Sequence, residues 1–125
     1  MRLLLDTHIM LWWATDRRKI STRAASLISI ADDVFVSSAC VWELATKIRR
    51  GKLDLDLSML VTSAASSNFL ELPIRFRHAA LVASLPPLHF DPFDRLLVAQ
   101  AMCESLLLIT VDKQLAPYSR MVQIV

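Results

Sequence analysis

Glycine, cysteine and tyrosine are scarce in this sequence: its 125 residues include one glycine, two cysteines and one tyrosine. The single glycine, Gly51, excludes the glycine-rich loops that cradle phosphates, because the Walker loop and the dinucleotide-binding fingerprint each need more than one. Cys40 and Cys103 are too few for a zinc ribbon or a disulfide scaffold, so we expect two buried, reduced thiols. The three histidines, at positions 8, 78 and 89, are too scattered to predict a histidine-rich metal motif.

Long apolar runs are absent as well. No stretch approaches the ~18 residues of a membrane span, and the apolar start at positions 1–5 is too short for a signal peptide. We therefore expect a cytoplasmic protein that does not contact a membrane. Hydrophobic residues make up 54% of the chain and charged residues 21%, which favours one folded domain over residues 1–125 and excludes a disordered chain.

Short apolar runs alternate with longer helical patterns along the chain. The predicted strands are residues 2–5, 34–36, 69–72, 106–110 and 121–125, the last at a sheet edge. The predicted helices are residues 7–14, 21–30, 38–50, 57–67, 75–85 and 91–105. This alternation predicts an α/β fold with a parallel sheet and helices on both faces. In such sheets, functional sites lie outside the carboxyl ends of the strands.

Four carboxylates are expected to meet at that edge. Asp6 directly follows the first predicted strand and Asp112 the fourth, while Glu43 and Asp94 lie in the first turns of helices. Four close carboxylates repel one another unless cations neutralise them, and oxygen ligands suit Mg²⁺ or Mn²⁺. A divalent metal in such a cleft hydrolyses phosphodiesters. The residues alone therefore favour a metal-dependent nuclease or phosphatase.

Each carboxylate also has a purely structural explanation. Asp6 and Asp112 suit helix N-caps, Glu43 suits an ion pair with Lys47 four residues later, and Asp94 suits the first turn of a helix. These explanations give no reason for all four carboxylates to lie at one edge of the sheet. The functional interpretation therefore gains weight from the set as a whole.

An ordered set of motifs spans the chain from end to end. The motifs are LLDTH at 4–8, WEL at 42–44 with Lys47, GKL at 51–53, DPFDRLLVAQA at 91–101 and LITVD at 108–112. No single motif is specific, but their order and spacing together are. In these motifs the sequence resembles the PIN domain, and within that family the ribonuclease toxins of VapBC toxin–antitoxin systems.

The resemblance implies a three-layer α/β/α sandwich and endonucleolytic cleavage of RNA with Mg²⁺ or Mn²⁺. It places the catalytic and metal-binding cluster on Asp6, Glu43, Asp94 and Asp112, with Asp6 and Asp94 as the most direct ligands. It also implies a homodimer and a VapB-like antitoxin partner, whose C-terminal segment lies in a groove near the active site. The apolar helical stretches 7–14 and 38–48 are candidates to line that groove.

Supporting roles are more open. Asp91 suits the cap of the last long helix, but it competes with Asp94 as the primary ligand of that pair. Thr7 and Thr110 are candidates to hydrogen-bond a carboxylate or a metal-held water, although local turns would use them equally well.

Basic and aromatic residues near the cluster have two interpretations. Lys47 and Arg95 are candidate contacts for RNA phosphates, or else partners of the acidic cluster. The tryptophans Trp12, Trp13 and Trp42 are expected in the core rather than as base-stacking platforms.

Two other functions remain as alternatives. One is a catalytically silent PIN-fold module that acts by binding an antitoxin or a nucleic acid, and the presence of all four acidic residues argues against it. The other is an aspartyl-phosphate phosphatase, which would need an Asp-x-Asp pattern after the first strand where this chain has Asp6, Thr7 and His8.

Overall fold

A five-stranded, wholly parallel sheet forms the centre of the molecule. The computed structural model describes residues 1–125, and the strands run in the order β3-β2-β1-β4-β5. They are β1 (Arg2–Leu5), β2 (Asp33–Ser37), β3 (Leu70–Leu72), β4 (Leu107–Thr110) and β5 (Val122–Ile124). In β1, Leu3, Leu4 and Leu5 are all fully buried, as expected for the central strand of a sheet that is covered on both faces.

Six α-helices and two short 3₁₀ helices connect the strands. They are α1 (Thr7–Thr15), α2 (Thr22–Ile30), α3 (Ser38–Arg49), α4 (Leu57–Ser66), α5 (Phe76–Val82) and α6 (Pro92–Glu104), with 3₁₀ helices at Arg17–Lys19 and Lys113–Tyr118. The chain moves from β1 through β2 to β3 and then returns to the other side of β1 for β4 and β5. Because parallel crossovers are right-handed, α1 to α4 cover one face of the sheet and α5 and α6 the other. The predicted three-layer α/β/α fold is confirmed.

Local sequence signals set most of the helix ends. Ser21 and Asp91 cap α2 and α6, as predicted, by accepting hydrogen bonds from backbone N–H groups of the first turn. Gly51 follows α3 with a φ of 71°, the left-handed conformation expected of a glycine just past a helix. The cap of α3 is Ser37 rather than Ser38, because the Ser37 hydroxyl accepts from the Ala39 N–H.

Two expectations about burial were wrong. Cys40 is fully buried, but Cys103 is only partly buried near the end of α6. Trp12 and Trp13 pack against the core, whereas Trp42 is 57% exposed. No helix in the structure combines the length and the apolar character needed to cross a bilayer.

Candidate active site

The acidic residues gather at the topological switch point of the sheet, where the strand order changes from one side of β1 to the other. Because β4 lies on the opposite side of β1 from β2, a crevice opens between the carboxyl ends of β1 and β4. Asp6 follows β1 at once, and Asp112 comes two residues after the end of β4. The β3-to-β4 crossover brings the start of α6, with Asp94, and α3 brings Glu43.

Asp6 is buried, and hydrogen bonds hold both of its carboxylate oxygens. One oxygen accepts from the Ile9 N–H at 2.9 Å, so Asp6 also caps α1, and the other accepts from the Thr110 hydroxyl. Burial raises the pKa of the Asp6 carboxyl, while the hydrogen bonds from Thr110 and Ile9 oppose the rise. Asp6 is therefore a helix cap and a member of the cluster at the same time.

Glu43 is buried and held between a hydroxyl and an ammonium group. The Thr7 hydroxyl donates to Oε1 at 2.7 Å, and the Lys47 Nζ lies 3.1 Å from Oε2. Thr7 and Thr110 thus do equivalent work, because each fixes the orientation of one buried carboxylate.

Asp91 and Asp94 have different environments. Oδ1 of Asp91 accepts from the N–H groups of Phe93 and Asp94 at 2.8 and 3.2 Å and so caps α6. Burial, followed by repulsion from Asp91, Glu43 and Asp6, raises the pKa of the Asp94 carboxyl to about 7. Because the neighbouring negative charges act on Asp94, these carboxylates form one electrostatic cluster.

His89 belongs to the site, although no motif in the sequence predicted a role for it. Its Nε2 lies 3.1 Å from Oδ2 of Asp112 and 3.5 Å from Oδ2 of Asp94. Its Nδ1 accepts from the Asp91 N–H at 3.0 Å, so the proton of a neutral ring is on Nε2 and points at the carboxylates. The only advance signal was the position of His89 two residues before a helix cap.

Asp112 combines a structural and a site role, much as Asp6 does. Its Oδ1 accepts from the Gln114 N–H at 2.9 Å and caps the second 3₁₀ helix, while its Oδ2 faces His89. Potential ligand atoms of His89, Asp94 and Asp112 all lie within 4.8 Å of one another. Asp6 is not part of this group of three.

The two candidate basic residues differ. Lys47 is at the cluster, paired with Glu43 and partly exposed. The Arg95 guanidinium donates instead to the backbone carbonyls of Val82, Leu85 and Pro86 and to the Tyr118 hydroxyl. These bonds hold the segment before α6. None of them joins Arg95 to a carboxylate of the cluster, and they occupy the guanidinium that was predicted to contact phosphate.

An apolar groove of about 500 Å³ lies between α3 and α4. Most of its lining comes from these two helices, and Met10 of α1, the end of β2 and residues 69–71 at the start of β3 complete it. Val41, Trp42 and Ala45 contribute the α3 wall. The sequence had pointed to α1 and α3 as groove-lining helices; the structure adds α4.

Comparison with known proteins places this geometry in a family. Residues 3–120 match the model of the PIN domain. The chain belongs to the PIN-domain family. It is 29% identical over 115 residues to Ribonuclease VapC22 of Mycobacterium tuberculosis, an alignment that covers 90% of this chain and 88% of that protein. The resemblance inferred from the motifs is therefore confirmed.

Solved structures share the PIN fold along the full chain. A chain in the complex of VapBC2 from Rickettsia felis with a promoter DNA fragment superposes with a TM-score of 0.72 at 13% identity, covering 100% of this chain and 98% of that one. A chain in a toxin–antitoxin complex from Klebsiella pneumoniae gives a TM-score of 0.68 at 20% identity, covering 97% and 95%. At these identities the likeness establishes the fold alone.

Proposed function

We propose that this PIN domain, residues 1–125, is a divalent-metal-dependent endoribonuclease and the toxin of a VapBC-type toxin–antitoxin pair in the cytoplasm. The observation that carries the proposal is the crowding of Asp6, Glu43, Asp94 and Asp112 at one crevice, where burial and then repulsion between carboxylates raise the pKa of Asp94 to about 7. Such crowding favours a bound cation. The similarity to a protein named a ribonuclease supports RNA as the substrate.

Mg²⁺ or Mn²⁺ fits this donor set, because all four carboxylates offer hard oxygen ligands. Asp6 and Asp94 are the proposed most direct ligands, and Glu43 and Asp112 complete the cluster; Asp112 has a carboxylate oxygen within 4.8 Å of one on Asp94. When bound, the cation would activate a water and neutralise the scissile phosphate.

The surrounding residues orient the carboxylates. Thr110 holds Asp6 and Thr7 holds Glu43. His89 donates from Nε2 toward Asp112, and its Nδ1 is already used by the Asp91 N–H. His89 therefore acts as a positioning residue rather than as a metal ligand.

Lys47 is the proposed contact for the RNA backbone. Its ammonium group neutralises Glu43 and is still partly exposed at the rim of the crevice. A phosphate that approached the cluster would meet this positive charge first, and phosphate contacts supply most of the affinity for nucleic acids. Asp91, in contrast, is assigned to capping α6.

The apolar groove between α3 and α4 is the proposed docking place of the antitoxin. Trp42 lines the groove and packs against Phe93, the neighbour of Asp94, so a partner segment bound there would lie near the start of α6. Complexes of toxins with antitoxins among the structural neighbours support such a partner. We also propose that the chain forms a homodimer, an expectation that comes from the family.

The decisive experiment is RNA cleavage by the purified chain with Mg²⁺, with Mn²⁺ and with excess EDTA. Cleavage with either metal, none in EDTA, and none with Asp94→Asn is the expected result. Full activity in EDTA would refute the metal dependence. Tight RNA binding without cleavage under every condition would favour the catalytically silent module.

A further inference from the structure

Phe90 is an aromatic side chain that packs against almost nothing. It is 94% exposed, and only Phe76, at 97%, is more exposed among the large hydrophobic residues. Exposing a whole phenylalanine ring forgoes the free energy that its burial would contribute. A binding partner that covered the ring would recover this free energy.

The backbone on either side of Phe90 is firmly held. The His89 N–H donates to the Tyr118 hydroxyl at 2.8 Å, and the Asp91 N–H donates to the His89 ring at 3.0 Å. Arg95 ties down the carbonyls of the preceding segment. The ring is therefore presented from a fixed backbone, which lowers the entropy cost of binding a partner there.

Phe90 also lies at the rim of the acidic crevice. The two residues that flank it, His89 and Asp91, both contact the site: His89 faces Asp112 and Asp94, and Asp91 caps the helix that carries Asp94. One residue of chain spans only ~3.8 Å between Cα atoms. The Phe90 backbone is thus one residue away from two residues of the site.

A second exposed aromatic surface borders the same cluster. Trp42, next to Glu43, packs edge-on against Phe93, next to Asp94, with ring centroids 4.8 Å apart. Two aromatic residues that are chain neighbours of the cluster's carboxylates thus touch each other. Single-stranded nucleic acids match both features, because their phosphates approach the cation-binding carboxylates while their bases stack on aromatic rings.

We propose that Phe90 is a stacking platform for an unpaired nucleobase beside the phosphate that is cleaved. This inference rests on the proposed ribonuclease function and adds to it the residue that would hold an unpaired base beside the cleaved phosphate. A base-paired strand keeps its bases stacked inside the duplex and cannot use the platform.

The test measures binding in the cleavage-inactive Asp94→Asn background, with fluorescently labelled single-stranded RNA about 12 nucleotides long and anisotropy as the readout. Phe90→Ala is expected to weaken binding by roughly tenfold, and Phe90→Tyr, which keeps an aromatic face, is expected to restore it. Phe76→Ala is the matched control. It removes an equally exposed phenylalanine beside Arg77, which pairs with Glu104 roughly 15 Å along α6 from Asp94.

Replacing single nucleotides by abasic ones identifies the stacked base. At one position, removal of the base should abolish the difference between Phe90→Ala and the unsubstituted Phe90 protein, and duplex RNA should show no difference at all. Equal binding of RNA by both proteins would overturn the inference, as would the same loss with duplex RNA. A change of oligomeric state in Phe90→Ala, seen by light scattering, would assign Phe90 to a protein interface instead.

The two proposals fail in different ways. If metal-dependent cleavage were insensitive to Phe90→Ala, for single-stranded and duplex RNA alike, the stacking role of Phe90 would be refuted. The proposed ribonuclease function would still stand. Absence of cleavage together with Phe90-dependent binding of single-stranded RNA would refute the ribonuclease function, and Phe90 would then be a base-stacking residue of a catalytically silent RNA-binding module.

Discussion

The two ends of α6 carry the same hydrogen-bonding arrangement, but the pKa of a carboxyl group is lowered at one end and raised at the other. Near each end a histidine accepts a backbone N–H on Nδ1 and directs Nε2 at a carboxylate: His78 at Glu104, and His89 at Asp112. At the Glu104 end, Arg77 supplies a further cationic partner. At the other end, the position of that cation is taken by another carboxylate, Asp94.

The pKa values follow this difference. Hydrogen bonds from His78 and then from Arg77 lower the pKa of Glu104, whereas burial and then repulsion raise the pKa of Asp94 from 3.8 to about 7. The helix dipole acts the other way, since it favours anions at the N-terminus. It contributes roughly 0.3–1 kcal/mol, and the difference between 3.8 and about 7 corresponds to roughly 4 kcal/mol, so burial and repulsion win.

Glu104 has two cationic or hydrogen-bonding partners within the chain, His78 and Arg77. Asp94 is surrounded mainly by other carboxylates, so it is suited to a cation from outside. Paired substitutions at the two ends of α6 therefore test the assignment of the site.

The largest expected effect is on RNA cleavage. Asp94→Asn should lower the rate by more than the roughly 10–100-fold typical of residues around a metal ligand, whereas Glu104→Gln should leave it nearly unchanged. Asp91→Asn, which keeps a good helix cap, should lose far less than Asp94→Asn. If Asp91→Asn abolished cleavage and Asp94→Asn did not, the roles of the two aspartates would be reversed.

The next largest effect is on thermal stability with metal. Mn²⁺ at about 100 times its Kd adds roughly 2.7 kcal/mol to the free energy of unfolding, or a rise in Tm of roughly 10 °C for a chain of this size. Asp94→Asn should abolish most of this rise and Glu104→Gln none of it. An equal rise for both variants would place the cation elsewhere.

The pH dependence of stability should have opposite signs at the two ends. Because the folded-state pKa of Asp94 is raised, ionising it disfavours the folded metal-free protein, and its contribution to stability falls as the pH rises from about 4 to about 7. Asp94→Asn should therefore stabilise the metal-free protein near pH 8, by on the order of 2 kcal/mol after allowance for solvent screening. Urea unfolding with EDTA measures this gain, which should vanish near pH 4.

Glu104 should give the smallest effect. Its lowered pKa means that it stabilises the folded protein above its unfolded-state value of 4.5, and that this contribution is lost as the pH falls below it. Glu104→Gln should cost about 1 kcal/mol near neutral pH, because the buried His78 loses a charged acceptor. A stabilising effect of Glu104→Gln, measured by urea unfolding, would contradict the comparison.

The sequence by itself determined the sheet and the edge at which the site lies. Fully apolar runs such as Leu3–Leu5 tolerate burial on both faces, which only a covered parallel strand provides. Once the strands are parallel, a residue that directly follows one of them, such as Asp6, must lie at the carboxyl edge. This follows from local patterns and from a topological rule, both of which a sequence displays.

Tertiary structure alone decided which side chains meet. The site role of His89, the exposure of Phe90 and the bonding of Arg95 to carbonyls all depend on how the segment before α6 packs against Tyr118 and the neighbouring carboxylates. Such contacts join residues that are distant in the sequence, and no periodicity encodes them. The spacing of the carboxylates therefore predicted the type of site. The groups that orient the carboxylates and border the crevice were decided only by tertiary contacts.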